Sequence, residues 1–211
     1  MSAAERAPSN SELIAAACQG GPLAVRALLH RNRPRLLRMV EMRLDHRLQV
    51  TETSAAVLVD QALLDAEERF GEYAASPKVP VFLWLRQVVA NRLAATHHAH
   101  LGRTDNADIS LTRPAIPPAS SVALAAHLLG KISTPVPAEA QTRRLLRLEA
   151  ALNALEPLDR DILSLRHFED LTHEEAARAL DLEGSEAARR YIRALKRLNE
   201  ALAEAKRRKA E

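Results

Sequence analysis

Apolar residues recur every three or four positions along most of this chain, which is the period of an amphipathic helix. The pattern predicts helices over residues 23–48, 55–73, 81–100 and 143–155, and another from Pro157 onward. Pro34 is expected to start or kink a helix, while Pro77 and Pro80 separate the second helix from the third. Aromatic residues are only 3% of the chain, whereas Ala, Leu, Arg and Glu are abundant. Because strands favour aromatic and β-branched residues, this composition supports an all-α fold.

The stretch between residues 101 and 141 differs in composition from its flanks. It contains five of the eleven Pro and much of the Ser and Thr, which is typical of a linker. Within it, residues 121–129 have the pattern of a short helix that docks on a neighbouring element. We therefore expect two small helical domains, at residues 21–100 and 142–211, joined by this linker and preceded by a flexible N-terminus over residues 1–20.

The strongest local pattern lies between Leu171 and Leu198. Thr172 and Glu175 have the spacing of a capping box at the start of a helix. Asp181 follows at the position of a tight turn, and Asp tolerates positive φ better than most residues other than Gly. The next helix has an apolar stripe made of Ala187, Tyr191, Ala194 and Leu198. Two short helices around a tight turn are the pattern of a helix-turn-helix, whose second helix enters the DNA major groove.

The face of that second helix opposite the apolar stripe provides the predicted DNA contacts. These residues are Ser185, Glu186, Arg189, Arg190 and Arg193. Arg pairs with phosphate and reads guanine edges through two parallel hydrogen bonds. Charge is also distributed unevenly, since residues 143–186 contain 11 acidic and 6 basic side chains whereas residues 189–209 contain 2 and 9. The alternative for this segment is an ordinary amphipathic hairpin in a helical bundle.

Aromatic and basic residues are interleaved in the N-terminal domain, where Tyr73, Phe82 and Trp84 lie close to Arg86 and Arg92. Rings beside Arg can stack on unpaired bases. The alternative is that each ring belongs to the hydrophobic core. A run of His at 97, 98 and 100 has no carboxylate or Cys partners at useful spacing, so we expect a solvated helix end and no metal site.

Composition excludes several other classes of protein. The single Cys18 excludes an intramolecular disulfide and a multi-cysteine metal site. We find no glycine-rich phosphate loop, nucleophile motif or paired metal ligands, so we expect no catalytic residue, no cofactor and no enzymatic activity. No apolar run is long enough to span a bilayer, and the first ten residues lack the hydrophobic core of a secretion signal. We therefore expect a soluble, cytoplasmic protein that has no contact with the membrane.

These motifs resemble those of a known family. ALNALEPLDRDILSLRHFEDLTHEEAARALDLEGSEAARRYIRALKRL, residues 151–198, is similar throughout to region 4 of bacterial sigma factors. RPRLLRMVEMRLDHRL, ALLDAEERFGEY and FLWLRQVVANRL resemble region 2. With the long linker, the chain resembles extracytoplasmic-function sigma factors of planctomycete type. The resemblance implies binding to core RNA polymerase and to promoter DNA, regulation by an anti-sigma factor, and a monomer in the free state.

The resemblance also implies a role for each predicted site. The helix-turn-helix face would read the upstream promoter element. Region 2 would open and hold the downstream element through Phe70, Tyr73, Phe82, Trp84, Arg86, Asn91 and Arg92. The helix that holds the polymerase carries a motif such as DVVQE in the family, and here the aligned residues read VLVDQ, with Asp60 and Gln61 as the polymerase-binding residues.

The loss of the leading acid in VLVDQ motivates a second hypothesis, a sigma-like interaction protein that binds polymerase or an anti-sigma factor but opens promoters poorly. A helix-turn-helix repressor is a third hypothesis. It is the weaker one, because no ligand-sensing or dimerisation segment is visible.

Overall fold

A computed structural model describes residues 9–45, 48, 54–101, 117–130 and 137–207. Within those residues the regular secondary structure consists of nine α-helices: α1 Asn10–Cys18, α2 Pro22–Glu41, α3 Ala55–Ala75, α4 Val81–Leu101, α5 Ser121–Gly130, α6 Ala138–Asn153, α7 Pro157–His167, α8 His173–Leu180 and α9 Gly184–Arg207. The all-α class predicted from the composition is confirmed for these residues.

The chain forms two compact units. The first unit comprises Met1–Val40 and Leu44–Ile116, and the second comprises Glu41–Arg43 and Pro117–Glu211. The first therefore contains α1, α3, α4 and nearly all of α2, and the second contains α5 to α9. Helix α5, which the pattern indicated within the linker, is part of the second unit.

The first unit begins with a helix where we expected a flexible N-terminus over residues 1–20. Ser9 caps α1, because its hydroxyl accepts a bond from the Glu12 backbone N–H at 3.3 Å and the Glu12 carboxylate accepts one from the Ser9 N–H at 2.6 Å. Leu13 and Ala17 are buried, and α1 packs on α3. The expectation of flexibility is wrong for residues 10–18, and the overlooked signal was this capping box.

Helix α2 continues through Pro34, which lies inside it and does not begin a new helix. Pro has no N–H to donate to the preceding turn, so its presence in a helix interior is unfavourable. The helix persists because its apolar side chains are buried on both sides of Pro34. Leu28 and Leu29 are buried before it, and Leu36 and Met39 are buried after it. Tertiary burial thus outweighs the local preference of Pro, although α2 ends at residue 41 instead of the predicted 48.

The second unit is built around the helix-turn-helix. Thr172 caps α8 through the predicted box: the Glu175 N–H donates to the Thr172 hydroxyl at 3.1 Å, and the Thr172 N–H donates to the Glu175 carboxylate at 2.9 Å. Asp181 has φ 58° and ψ 43°, the left-handed conformation expected at the turn. The Leu182 N–H then donates to the Ala177 carbonyl at 2.9 Å and closes the end of α8. The capping box and the left-handed turn residue are both confirmed.

Small residues allow α8 and α9 to pack closely in the core of this unit. The core contains the following residues, among others: Leu148, Leu152, Ile162, Leu163, Phe168, Ala177, Ala187 and Ala194. Ala187 and Ala194 are fully buried on the inner face of α9. This face fixes the orientation of α9, and its opposite side is left on the surface.

A buried ion pair also lies inside the second unit. The Arg43 guanidinium lies 2.7 Å from the Glu169 carboxylate, and the two side chains are 2% and 0% exposed. Nearby, the Ser120 N–H donates to the Met42 carbonyl at 2.8 Å. Burial raises the pKa of Asp161, although the positive charge of Arg43 acts in the opposite direction. Met42 and Arg43 are therefore an integral part of this unit's interior.

Candidate nucleic-acid interface

The outer side of α9 is a continuous exposed surface on the helix that follows the turn. Ser185, Arg189, Ile192 and Lys196 recur at spacings of four, three and four, opposite the buried Ala187 and Ala194. We call these four residues the outer face. Its chemistry is mixed, because Ile192 is 53% exposed between two cationic side chains and a hydroxyl.

Arg189 and Ser185 lie together at the beginning of this outer face. The Arg189 Nε donates to the Ser185 carbonyl at 3.2 Å, and Nη2 lies 3.5 Å from the Ser185 hydroxyl. Both side chains are exposed. A guanidinium held at the start of a helix that follows a tight turn is in the position from which recognition helices reach base edges.

The other predicted DNA contacts on α9 have partners within the protein. Arg193 donates two hydrogen bonds to Asp159 of α7, from Nε at 2.9 Å and from Nη2 at 2.7 Å. Arg190 donates to Glu186 at 3.0 Å and lies 3.6 Å from Asp159. Only Ser185 and Arg189 of the five predicted residues therefore belong to the outer face. Sequence reasoning missed Ile192 and Lys196, which lie three and seven positions after Arg189 and therefore share its face of the helix.

In the first unit, three aromatic rings form a cluster between the end of α3 and the start of α4. Tyr73 and Trp84 stack with their centroids 4.7 Å apart and their planes 23° apart. Phe70 is buried and meets Trp84 edge-on at 5.9 Å. The Tyr73 hydroxyl donates to the Val79 carbonyl at 2.8 Å, and partial burial raises its pKa. Tyr73 and Trp84 are only partly buried, so the stacked pair borders the surface beside residues 76–80.

The remaining predicted residues of this region do not join the aromatic cluster. Phe82 is buried beneath the Arg35 guanidinium, which lies 3.6 Å from the ring centroid, and Arg86 is also buried. Asn91 is exposed and accepts a hydrogen bond from the Gln87 side chain at 2.7 Å. Phe82 and Arg86 therefore belong to the interior of the first unit, whereas Asn91 lies on its surface.

Arg92 connects α4 to α3. Its guanidinium donates to Asp65 at 2.5 Å and to Gln61 at 3.0 Å. The three residues lie beside or within an open surface groove between the two helices. The groove has a volume of about 440 Å³ and is lined by Asp65, Arg69, Val88, Asn91, Arg92, Ala95, Thr96 and Ala99.

The residues predicted to bind polymerase lie on an exposed stripe of α3. Asp60 accepts two hydrogen bonds from Arg33 of α2, at 2.6 and 2.9 Å, and these bonds hold the pKa of that carboxyl below its usual range. Val57 and Leu64 flank Asp60 and Gln61 and are 43% and 62% exposed. Large apolar side chains on an exposed helix face, next to polar ones, are typical of a protein-binding surface.

Neither a metal-binding cluster nor a membrane-spanning helix is found in the part of the chain that the structure describes. No group of three or more His, Cys, Asp or Glu side chains there is arranged to hold a metal ion. None of the helices in that part is both long enough and apolar enough to cross a membrane.

Comparisons with known proteins support the identification of the helix-turn-helix. Residues 145–198 match the family model described as Sigma-70, region 4. A solved structure, described as CnrH in complex with the cytosolic domain of CnrY, has a similar fold: the TM-score is 0.51 and the identity 20%, over 92% of this chain and 96% of that one. A search of curated proteins found no match. The second unit of this chain therefore carries a sigma-70 region 4 domain, with its helix-turn-helix formed by α8 and α9.

Proposed function

We propose that this protein is a sigma factor of the extracytoplasmic-function type, which binds core RNA polymerase and directs it to promoters. The observation that carries the proposal is the outer face of α9, an exposed Ser-Arg pair and a second cation on the recognition helix of a region 4 domain. A cytoplasmic location and a monomeric free state are part of the proposal. The planctomycete type stays a prediction from the sequence.

The outer face would read the upstream promoter element. Arg189 can donate two hydrogen bonds to a guanine edge, and Ile192 can contact a thymine methyl group. Lys196 lies further along the same side of the helix and would contact phosphate, which positions the protein without specifying sequence. This division of roles gives one helix both affinity and sequence preference.

The aromatic cluster would act at the downstream element, where the duplex must open. A base that leaves the stack needs a flat apolar partner, and stacking on an aromatic side chain is worth about 1–3 kcal/mol per base. Trp84 offers such a surface because it is partly exposed, and its position is fixed by contacts with the stacked Tyr73 ring and the edge-on Phe70 ring. The structure favours Trp84 over Phe82 for this role, since Phe82 is buried.

The exposed stripe of α3 would bind the polymerase. Because Arg33 engages Asp60 and Arg92 donates to the Gln61 amide oxygen, the accessible groups of this stripe are mainly the apolar side chains of Val57 and Leu64. The contact would therefore depend more on apolar burial than on charge. CnrH is bound by the cytosolic domain of CnrY in the matched structure, and we propose that a partner protein, the anti-sigma factor that the sequence resemblance implies, also binds this chain.

Transcription with purified components tests the proposal. The full chain is added to core polymerase lacking any other sigma factor, and run-off transcripts are collected from a genomic library. Discrete start sites that share an upstream and a downstream element are expected. Omission of the protein is the control, and the absence of both transcripts and co-elution with the polymerase would refute the proposal.

The altered VLVDQ stretch favours one second candidate, the sigma-like interaction protein. That protein would co-elute with core polymerase or with an anti-sigma factor and give no transcript from the library. A repressor would instead bind duplex DNA alone, as a dimer on two half-sites separated by about one helical turn. Transcription, co-elution and DNA binding, measured on the same purified protein, therefore distinguish the three hypotheses.

A further inference from the structure

One buried carboxylate of α7 binds arginines that project from α9. Asp159 is 0% exposed, and its two oxygens accept the two bonds from Arg193. Arg190 lies 3.6 Å from Asp159 and Arg197 lies 3.5 Å from it. We call Arg190, Arg193 and Arg197 the arginine row. Their spacing of three and four places all three on one side of α9.

The charges around the arginine row are balanced within the protein. Glu156 lies 3.0 Å from Arg197 and 3.5 Å from Arg193, and Glu186 lies 3.0 Å from Arg190. Three carboxylates therefore face three guanidinium groups. The hydrogen bonds to Asp159 raise the pKa of the Arg193 guanidinium, which stays charged. The row thus presents little net charge to a polyanion, unlike the outer face with Arg189 and Lys196.

Because Asp159 is buried, Arg193 is the arginine of this row that is least able to leave its carboxylate for a DNA phosphate. Transfer of Arg193 to a DNA phosphate would remove its two hydrogen bonds from Asp159, which cannot be solvated where it lies. The side chains of Arg190, Arg193 and Arg197 are 21%, 41% and 43% exposed, so they can reach water or phosphate if Asp159 is replaced by Asn. Asp159 therefore controls which cations of α9 are available.

We propose that Asp159 is a positioning residue for DNA recognition, which holds the arginine row against α7 and keeps it out of sequence-independent phosphate contact. Sequence discrimination is then left to the outer face. The inference rests on the proposed function only in requiring that α9 bind DNA. It reassigns Arg190 and Arg193, which the sequence alone placed among the base-reading residues.

The salt dependence of DNA binding tests this directly. The full chain is titrated with a short labelled duplex of scrambled sequence between about 50 and 200 mM salt, where each phosphate contact adds about 0.9 to the slope of log affinity against log salt. Asp159→Asn should bind more tightly than wild type and steepen the slope by about 1–2. Asp161→Asn, with the same charge change on the same helix but no contact to the row, should leave the slope unchanged.

A pair of α9 variants keeps the proposal testable if Asp159→Asn folds poorly. Arg193→Gln and Arg189→Gln each remove one charge from the same helix. Arg193→Gln should leave the slope near that of wild type, because Asp159 already neutralises this guanidinium, whereas Arg189→Gln should reduce it by about 0.9. Asp159→Glu keeps the negative charge, so its salt slope should equal that of the wild type.

The opposite results would overturn the proposal. If Asp159→Asn melts at a lower temperature but shows an unchanged or shallower slope, Asp159 is only structural. Equal slopes for the two Arg variants, or no binding by either wild type or Asp159→Asn at the lowest salt, would also refute it. Because the titration contains no polymerase, failure of the sigma-factor proposal would be seen separately, in the transcription experiment.

Discussion

The buried ion pair between Arg43 and Glu169 allows a quantitative prediction about the second unit. Arg43→Met keeps the length of the side chain and removes the guanidinium, which lies 2.7 Å from a carboxylate that is 0% exposed. Removing one partner of a buried pair costs about 3–5 kcal/mol, because the remaining charge has lost the group that offset its desolvation. We expect Arg43→Met to lower the free energy of unfolding of the second unit by that amount.

A double-mutant cycle separates the charge from the packing. Glu169→Gln removes the second charge while keeping a hydrogen-bonding side chain, so Arg43→Met combined with Glu169→Gln should recover most of the loss. Arg143→Met is the matched control, since Arg143 and Glu139 are 3.7 Å apart and 53% and 87% exposed. An exposed pair of this kind contributes roughly 0–1 kcal/mol.

Urea unfolding of the full chain, followed by circular dichroism, provides the measurement. The two units are expected to give separable transitions, and the one altered by Arg43→Met is assigned to the second unit. A loss below about 1 kcal/mol, the range of an exposed pair, would refute the reasoning. A double variant less stable than Arg43→Met would refute it as well. That result would show that the loss of stability does not come from the charge that remains on Glu169.

Three further outcomes can be checked independently. Because burial raises the folded-state pKa of Asp161 above its unfolded value, its contribution to stability is full below the unfolded pKa and is lost as the pH rises through the folded pKa. Asp161→Asn should therefore stabilise the protein at pH 7 but not near pH 3, and an equal effect at both would contradict this. Thr172→Ala should cost about 0.5–2 kcal/mol by removing the cap of α8, whereas no change in the unfolding midpoint would show that the cap is dispensable. Trp84→Ala should impair promoter opening, measured by permanganate reactivity in the open complex, more than Phe82→Leu does, and equal defects would argue against the exposed ring as the base platform.

Much of the local structure could be read from the sequence. Thr172 and Glu175 form the capping box at the predicted position, and Asp181 adopts the predicted left-handed turn. Pro157 begins α7, in the first turn where its missing N–H is not needed. Each of these features depends on residues within four positions of each other, so the physical causes are present in the local sequence.

The candidate site was less predictable, because its side chains have partners that are distant in the chain. Helical spacing correctly placed Ser185 and Arg189 on the surface but gave no indication that Arg193 bonds to Asp159, 34 positions away. In the aromatic region the pattern could not separate the buried Phe82 from the partly exposed Trp84.

By itself the sequence determined most of the helices, the capping boxes, the helix-turn-helix and the apolar stripe that orients α9, since these follow from the helical period and from contacts within a turn or two. Only the tertiary structure decided which charges are available. The packing of α9 on α7 brings the arginine row to Asp159, and the second unit encloses Arg43 with Glu169. Ion pairing depends on distance in space and on exclusion of water, and the fold alone sets both.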